Sequence, residues 1–460
     1  MKIRLKNLGP IRQAEFELGD FTIICGANNT GKTYATYALF GFLHVWQDVL
    51  SVSIKDAAVE SLLNDGASKI DLTGYLDDYL SILKQGCEKY TRSLSKIFSA
   101  PESHFNTTQF QIIIDEKPSL SHDFELKIQS ENAAIFSLSK PENSMELVVS
   151  LLGGAEKNIF PNRLIKGIIS DAVIKIIFSK RFPDPFISSA ERTGAAIFSN
   201  ELNFSRNRLL KEMHRLDKDK DPRELLLKSY QDYALPVEQS VEFIRNLKKT
   251  TQRDSFIAKE HPEILADFAD IIGGHYSVTG NDELYFKPKK ATIKLTMDES
   301  SSAARSLLDI GFYLRHIAKK GDLLMVDEPE LNLHPENQRR VARLFARLIN
   351  AGIKVFITTH SDYIVKELNT LIMLNHDQPY LKKIAKTEGY HEHELISADR
   401  LKVYIAEKDL IKLDGNKRKG HYQTLVSACI DPELGIEARS FDTTINTMNR
   451  IQEAVIWSDE

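Results

Sequence analysis

Phe21, Ile23, Ile24 and Cys25, interrupted only by Thr22, form a short apolar run whose length and density predict a strand buried on both faces. Two further strands are predicted before it, Lys2–Leu5 and Ala14–Leu18, set off by the turn signals Gly9-Pro10 and Gly19-Asp20. After it, Tyr34 to Val45 is apolar at helical spacing. Residues 47–98 carry Val49, Ile54, Leu62, Leu63, Leu76, Tyr79, Leu80 and Leu83 at intervals that predict two or three helices. Residues 104–150 change to alternation. Phe110–Asp115, Phe124–Ile128 and Met145–Val149 read as strands of one small antiparallel sheet.

Leu164–Ser179 reads as an apolar helix closed by Pro183-Asp184-Pro185, and Phe186–Ala190 as another buried strand. From Leu202 to Leu265 the pattern is helical and highly charged, broken at Lys218–Pro222, and fits either an extended arm or a surface subdomain. Beyond Gly280, strands are predicted at Leu284–Phe286, Ile293–Leu295, Asp322–Val326, Lys354–Thr358, Arg400–Ala406 and Gly435–Phe441. Helices are predicted at Ala303–Lys319, Glu336–Asn350 and Asp442–Ile456. Strands alternating with helices give an α/β class with a largely parallel sheet covered on both faces. The expected division is a discontinuous head of residues 1–45 and 285–460, including strand 185–194, with an insertion at 46–284.

The chemistry sits at the ends of the apolar strands. Gly26-Ala-Asn28-Asn29-Thr30-Gly31-Lys32-Thr33 follows the first buried strand and opens a helix. Glycines at both ends let the backbone curl so that successive N–H groups face phosphate oxygens, and the helix N-terminus adds partial positive charge. In this phosphate-binding pattern Lys32 reaches the β- and γ-phosphates and Thr33 offers its hydroxyl to Mg²⁺. Leu323–Val326 then delivers Asp327 and Glu328 to a strand end, with Asp327 suited to Mg²⁺ and Glu328 to polarising an attacking water. The next strand ends in Thr359-His360-Ser361, where His360 is placed to sense the γ-phosphate.

Composition narrows the setting. The 460 residues leave room for two or three domains, and a net charge of −4 requires any nucleic-acid contact to be a local patch. Three scattered cysteines, Cys25, Cys87 and Cys429, argue against a disulfide framework or zinc site. The opening residues have no signal-peptide character, and no apolar run approaches the ~20 residues of a membrane span. A cytoplasmic protein is the expectation.

The order of these pieces resembles the ABC-type (AAA-family) ATPases of the RecF, SMC and OLD group. The resemblance rests on Gly26–Thr33, a long insertion, Ser300-Ser301-Ser302-Ala-Ala-Arg305 as a signature segment, Val326–Pro329 and His360. Glu330–Pro335 is similar to the group's dimer-contacting loop, and Lys6–Ile11 to its first strands. The resemblance implies a P-loop NTPase head that binds ATP and Mg²⁺. It also implies a homodimer or higher homo-oligomer in which Ser301, Ser302 and Arg305 reach the γ-phosphate held by the opposite subunit. Ala303 and Ala304 depart from the group's usual Ser-Gly-Gly or Ser-Ser-Gly, which leaves open which serine makes that contact. Ser188–Gly194 is the candidate for the glutamine-bearing loop, with Glu191 or Arg192 near metal or phosphate.

Relatives of the OLD type carry a nuclease with an Asp-x-Asp pair. The tail here has Asp409, Asp414 and Asp431 but no such pair; His391-Glu-His393 on a strand would set both His on one face and could bind a metal, and otherwise reads as a polar surface turn. In size and layout the chain resembles stand-alone ATPases such as AriA and PtuA, which act in anti-phage defence with a separately encoded effector, often a nuclease. Two functions therefore fit: an ATP-driven sensor that controls a partner protein, and a RecF-type clamp that binds DNA through basic clusters such as Arg245–Lys249, Lys287–Lys290 and Lys412–Lys419. A transporter subunit, the third possibility, is opposed by the long insertion and by the SMC-like dimer loop.

Overall fold

In the computed structural model, residues 1–130, 133–151, 161–197, 233–279, 283–436 and 447–454 are described. The chain divides into two compact units. One comprises Met1–Arg4, Phe42–Ser93 and Gln109–Pro183; the other comprises Leu5–Gly41, Leu94–Thr108 and Asp184–Glu460. Strand β1 (Lys2–Leu8) and helix α1 (Lys32–Val49) each run from one unit into the other.

The larger unit is built on a six-stranded sheet in the order β15-β14-β3-β13-β12-β9. These strands are β3 (Phe21–Cys25), β9 (Pro185–Ser188), β12 (Leu323–Asp327), β13 (Lys354–Thr359), β14 (Leu401–Ile411) and β15 (Gly420–Ser427). All but β15 run parallel. Every residue of β3 and β12 is buried, as expected of strands covered on both faces. The helix Pro335–Asn350 buries one face, including Val341, Phe345 and Leu348, in the core that also holds Phe21, Ile23 and Leu324. Register aligns the strand ends: Thr359 lies opposite Cys25, and Asp327 opposite Thr358. Three neighbouring parallel strands, β3, β13 and β12, thus deliver the residues after Cys25, Thr358 and Val326 to one edge, where open α/β sheets hold their ligands.

The smaller unit carries a four-stranded sheet, β4-β8-β7-β6, made of β4 (Ala67–Asp71), β6 (Phe124–Ser130), β7 (Ala133–Lys140) and β8 (Glu146–Leu151). Its described strand pairs are antiparallel. The strand at Phe110–Asp115 is displaced from this sheet: β5 (Gln109–Ile113) lies beside β1 in a separate sheet whose other member is β2 (Ile11–Glu17). β4 escapes a hydrophobicity reading because its buried face consists of Ser68 and Ile70, only one of them apolar. In the core of this unit Phe42 packs edge-on against Tyr90 and Phe182.

Other boundaries move for local reasons. The predicted helix Ala303–Lys319 is three short pieces, Ser302–Ser306, Leu308–Phe312 and a π-helical turn Tyr313–Ile317, because Leu307 leaves helical geometry with φ −109° and ψ 11°. Ile293–Leu295 forms no strand and contributes a single bridge, Leu295 to Phe286. Residues 391–394 are a tight 3₁₀ turn, so His391 and His393 stack ring on ring and do not alternate along a strand. Of the predicted charged helical block, residues 202–232 lie outside the described residues, while Leu235–Arg245 and Pro262–Ile272 are helices. In the tail, Gly435–Ile436 pairs as a strand and 447–454 is helical; the remainder of those two predicted elements lies outside the described residues. No helix among the described residues is long and apolar enough to cross a membrane.

Candidate functional site

The loop from Gly26 to Gly31 folds as its glycines demand. Gly26 has φ +138° and Gly31 φ +98°, with Asn29 at +62° between them. A Cβ on Gly26 would lie 2.7 Å from the carbonyl oxygen of Ala406 in β14, and one on Gly31 would lie 2.7 Å from the Ile11 side chain. Thr30 closes the turn by donating its hydroxyl to the Ala27 carbonyl at 2.8 Å. Asn28 and Asn29 are exposed at its crest.

Lys32 is buried and donates from Nζ to the carbonyls of Gly26 and Ala27, each at 2.9 Å. Burial lowers its pKa, opposed by the charges of Glu328, Asp327 and Glu330. Thr33 donates its hydroxyl to Asp327 Oδ2 at 3.1 Å, joining the two halves of the site across 294 positions of sequence. The other oxygen of Asp327 accepts a close hydrogen bond from the Thr358 hydroxyl. Desolvation pushes the Asp327 carboxyl up to about 6, reinforced by Glu328 and Glu191 and opposed by the two threonine hydroxyls. A hydroxyl and a buried carboxylate held only by neutral donors form an oxygen pair of the kind Mg²⁺ takes, so these residues fit the ion.

Glu328 adopts φ +53°, a left-handed conformation unusual for a residue with a Cβ and one that marks functional sites. Its N–H donates to the Thr358 carbonyl at 3.0 Å. That bond fixes the turn, and Oε1 lies 3.7 Å from Nδ1 of His360.

Sequence reasoning assigned no role to Glu330 beyond its loop, yet the structure sets it at the centre of the His360 turn. Its Oε1 accepts from the His360 N–H at 2.7 Å and the Thr359 hydroxyl at 2.9 Å, and lies 3.2 Å from His360 Nδ1. Glu330 is buried, and among the described residues its Oε2 has no hydrogen-bond partner. The Glu-Pro-Glu spacing in Asp327-Glu-Pro-Glu330 was the available signal.

Arg192, expected near metal or phosphate, has its donors turned onto backbone carbonyls, two of them those of Asp327 and Glu328. It is wholly buried, and its guanidinium donates to the carbonyls of Ser189, Asp327, Glu328 and Ser306. A planar fork of five donors suits this task of tying β9, the end of β12 and the helix Ser302–Ser306 together. The Oε2 of Glu191 accepts from the Tyr37 hydroxyl at 3.0 Å, and its charge adds to the rise of the Asp327 carboxyl.

Ser301 caps the helix Ser302–Ser306, accepting from the Ala304 N–H at 3.2 Å, and both Ser301 and Ser302 are exposed. Arg305 donates to the carbonyls of Met297, Asp298 and Ser300, which shapes the preceding loop. Among the described residues, no hydrogen bond joins Ser301, Ser302 or Arg305 to the loop Gly26–Thr33.

The sequence matches the AAA ATPase domain family over residues 1–365. No curated protein matches it. Among solved structures it is similar to an SMC head bound to the C-winged helix domain of ScpA, at 12% identity and TM-score 0.31, covering 92% of this chain and 97% of that one. It is also similar to an SMC head with an extended coiled coil, bound to the C-terminal domain of ScpA, from Pyrococcus furiosus, at 15% identity and TM-score 0.30, covering 98% of each chain. The SMC head domain from Thermotoga maritima is similar at 10% identity and TM-score 0.28, covering 92% of this chain and 97% of that one.

Proposed function

We propose, from the premise that this chain belongs to the AAA ATPase domain family and is an ATPase, that it hydrolyses ATP in composite sites formed between copies of itself and thereby controls a separate effector protein. The observation that carries the hydrolytic part is the 3.1 Å contact from Thr33 to Asp327 at the mouth of the phosphate loop. Lys32 exchanges the Gly26 and Ala27 carbonyls for phosphate oxygens, and the N–H groups of Gly31 to Thr33 hold the same charge. Thr33 and Asp327 would hold Mg²⁺, which when bound supplies positive charge to the phosphate oxygens. Glu328 polarises the attacking water and takes its proton as the bond from the γ-phosphorus to the ADP oxygen breaks. His360, held by Glu330, stands beside Glu328 where the γ-phosphate is sensed.

The composite arrangement is supported by Ser301 and Ser302, which are exposed and, among the described residues, make no hydrogen bond to their own phosphate loop. Control of an effector in anti-phage defence is supported by the size and layout of the chain, which resemble those of stand-alone ATPases that act with a separately encoded effector. The deciding experiment is recovery of Glu328→Gln protein from its native host with ATP and Mg²⁺, with nuclease treatment as a control. A stoichiometric protein partner that survives nuclease is the expected result. Recovery of DNA alone, lost as salt rises, would overturn effector control. It would favour a DNA clamp instead, for which the exposed Lys412, Lys417, Arg418 and Lys419 between β14 and β15 are the specific support.

A further inference from the structure

A second concave site lies in the same unit, apart from the phosphate loop. It is a cleft of about 360 Å³ between the helix Pro262–Ile272, strand β10 (Gly274–Val278) and the segment around the π-helical turn, a size typical of small-molecule pockets. The rings of Phe268, Tyr276 and Phe312 line it, with Tyr276 and Phe312 stacked at 5.8 Å. Every ionisable side chain on its wall apart from the Tyr276 phenol is basic: His275, Lys287, Arg315 and His316. Among the described residues neither Lys287 nor Arg315 forms a salt bridge. An aromatic interior walled by basic side chains calls for an aromatic ligand bearing negative charge.

The backbone supports a built site. Tyr313–Ile317 is π-helical, closed by the Ala318 N–H on the Tyr313 carbonyl at 2.9 Å. The wider turn is secured by Ser255, whose N–H and hydroxyl reach the carbonyls of Arg315 and Leu314. Such turns are rare and frequently found at functional sites, and this one puts Arg315 and His316 on the cleft. The cleft also touches the signature segment, because the Tyr276 hydroxyl donates to the Ala304 carbonyl at 2.5 Å. Gly311 permits this packing; a Cβ there would lie 2.7 Å from both the Phe268 and Tyr276 rings.

We propose that this cleft is a regulatory site for a small aromatic monoanion, whose ring packs among Phe268, Tyr276 and Phe312 and whose charge meets Arg315 and Lys287, and that its occupancy is relayed to Ser300–Arg305 through Tyr276. Only the relay rests on the proposed role of the signature segment; binding stands independently of it.

The test is calorimetric titration of the full chain with naphthalene-1-sulfonate and with its neutral counterpart 1-naphthalenemethanol. The sulfonate binds at one site with about tenfold higher affinity than the alcohol, and Arg315→Ala erases that preference while leaving the alcohol unaffected. Ala269→Trp, which fills the cleft, removes binding of both probes while keeping the wild-type ATPase rate without probe. Saturating sulfonate changes the wild-type ATPase rate about twofold or more, and Tyr276→Phe binds it undiminished but loses that response. Equal affinity for the two probes, or binding that survives Ala269→Trp, overturns the site. Tight binding with no change in rate, or an equal response in Tyr276→Phe, overturns the relay alone. Sulfonate that dissociates an oligomer on binding identifies a second copy as the occupant and overturns the small-ligand assignment.

Discussion

Asp327 is nearly inaccessible, and its carboxyl is pushed from 3.8 up to about 6, chiefly by desolvation. The folded protein therefore binds this proton more tightly than the unfolded chain does. The group's contribution to stability is fully present below about pH 4 and is lost as pH rises through about 6. At neutral pH the loss is on the order of 3 kcal/mol. Asp327→Asn, which keeps a hydrogen-bonding group between Thr33 and Thr358, should thus be more stable than wild type at pH 7.5 without Mg²⁺ and flatter between pH 4 and 7. Calorimetric unfolding across that range checks it, and a variant no more stable at pH 7.5 contradicts the assigned burial cost. Glu328→Gln should slow hydrolysis by roughly 10²–10⁴-fold with ATP binding retained; rates equal to wild type would remove Glu328 as the base. Glu330 separates fold from charge. Glu330→Ala strands the His360 N–H and the Thr359 hydroxyl and should cost about 1–3 kcal/mol in urea unfolding. Glu330→Gln keeps an acceptor, so it should hold stability within about 1 kcal/mol while kcat falls about tenfold at unchanged KM, the pattern of a residue that positions His360. A Gln variant with unaltered kcat would reduce Glu330 to a turn-former.

At the scale of elements, the phosphate loop is constrained by its neighbours as much as by its own glycines. Gly26 abuts the Ala406 backbone, which cannot retreat without breaking the pairing of β14 with β3, whereas Gly31 abuts only the Ile11 side chain. Gly26→Ala and Gly31→Ala should both lower the melting temperature and weaken ATP binding, since each glycine also has positive φ. Adding Ile11→Ala should restore part of the loss in the Gly31 variant, the steric part; no rescue would mean that φ alone decides. The strand, loop and helix were legible because apolar density and spacing are local properties. So were the acidic end of β12 and the turn at His360, which the sheet register then brings to the same edge. What backs the loop was not legible. Ala406 follows Gly26 by 380 positions, and nothing in an alanine announces that its carbonyl will lie against a phosphate loop. The carbonyls that Arg192 serves were illegible for a related reason: a lone arginine beside a strand end does not announce that its donors will meet the backbone of Ser189, Ser306, Asp327 and Glu328. β4 was missed because its buried face carries too few apolar residues to set a period.

For the whole molecule the question is whether one chain contains a complete site. Lys32, Thr33, Asp327, Glu328 and His360 converge within a single unit, while Ser301 and Ser302 lie exposed, with no hydrogen bond to them among the described residues. If the serines serve a second copy, the two halves can be disabled separately. Lys32→Ala removes the phosphate-loop cation, and Ser302→Arg blocks the signature surface; each protein alone should be inactive. In an equal mixture, half of the dimers are mixed, and in each of these one site joins an intact loop to an intact signature segment. Activity should then recover to about a quarter of wild type, the fraction fixed by two-fold symmetry and random pairing. Sedimentation with ATP would verify that both variants still associate. A mixture that associates yet remains inactive would mean that the site is completed within one chain, by a movement that brings Ser300–Arg305 to its own phosphate loop. The exposed serines would then mark a hinged segment, and oligomerisation would not be required for hydrolysis.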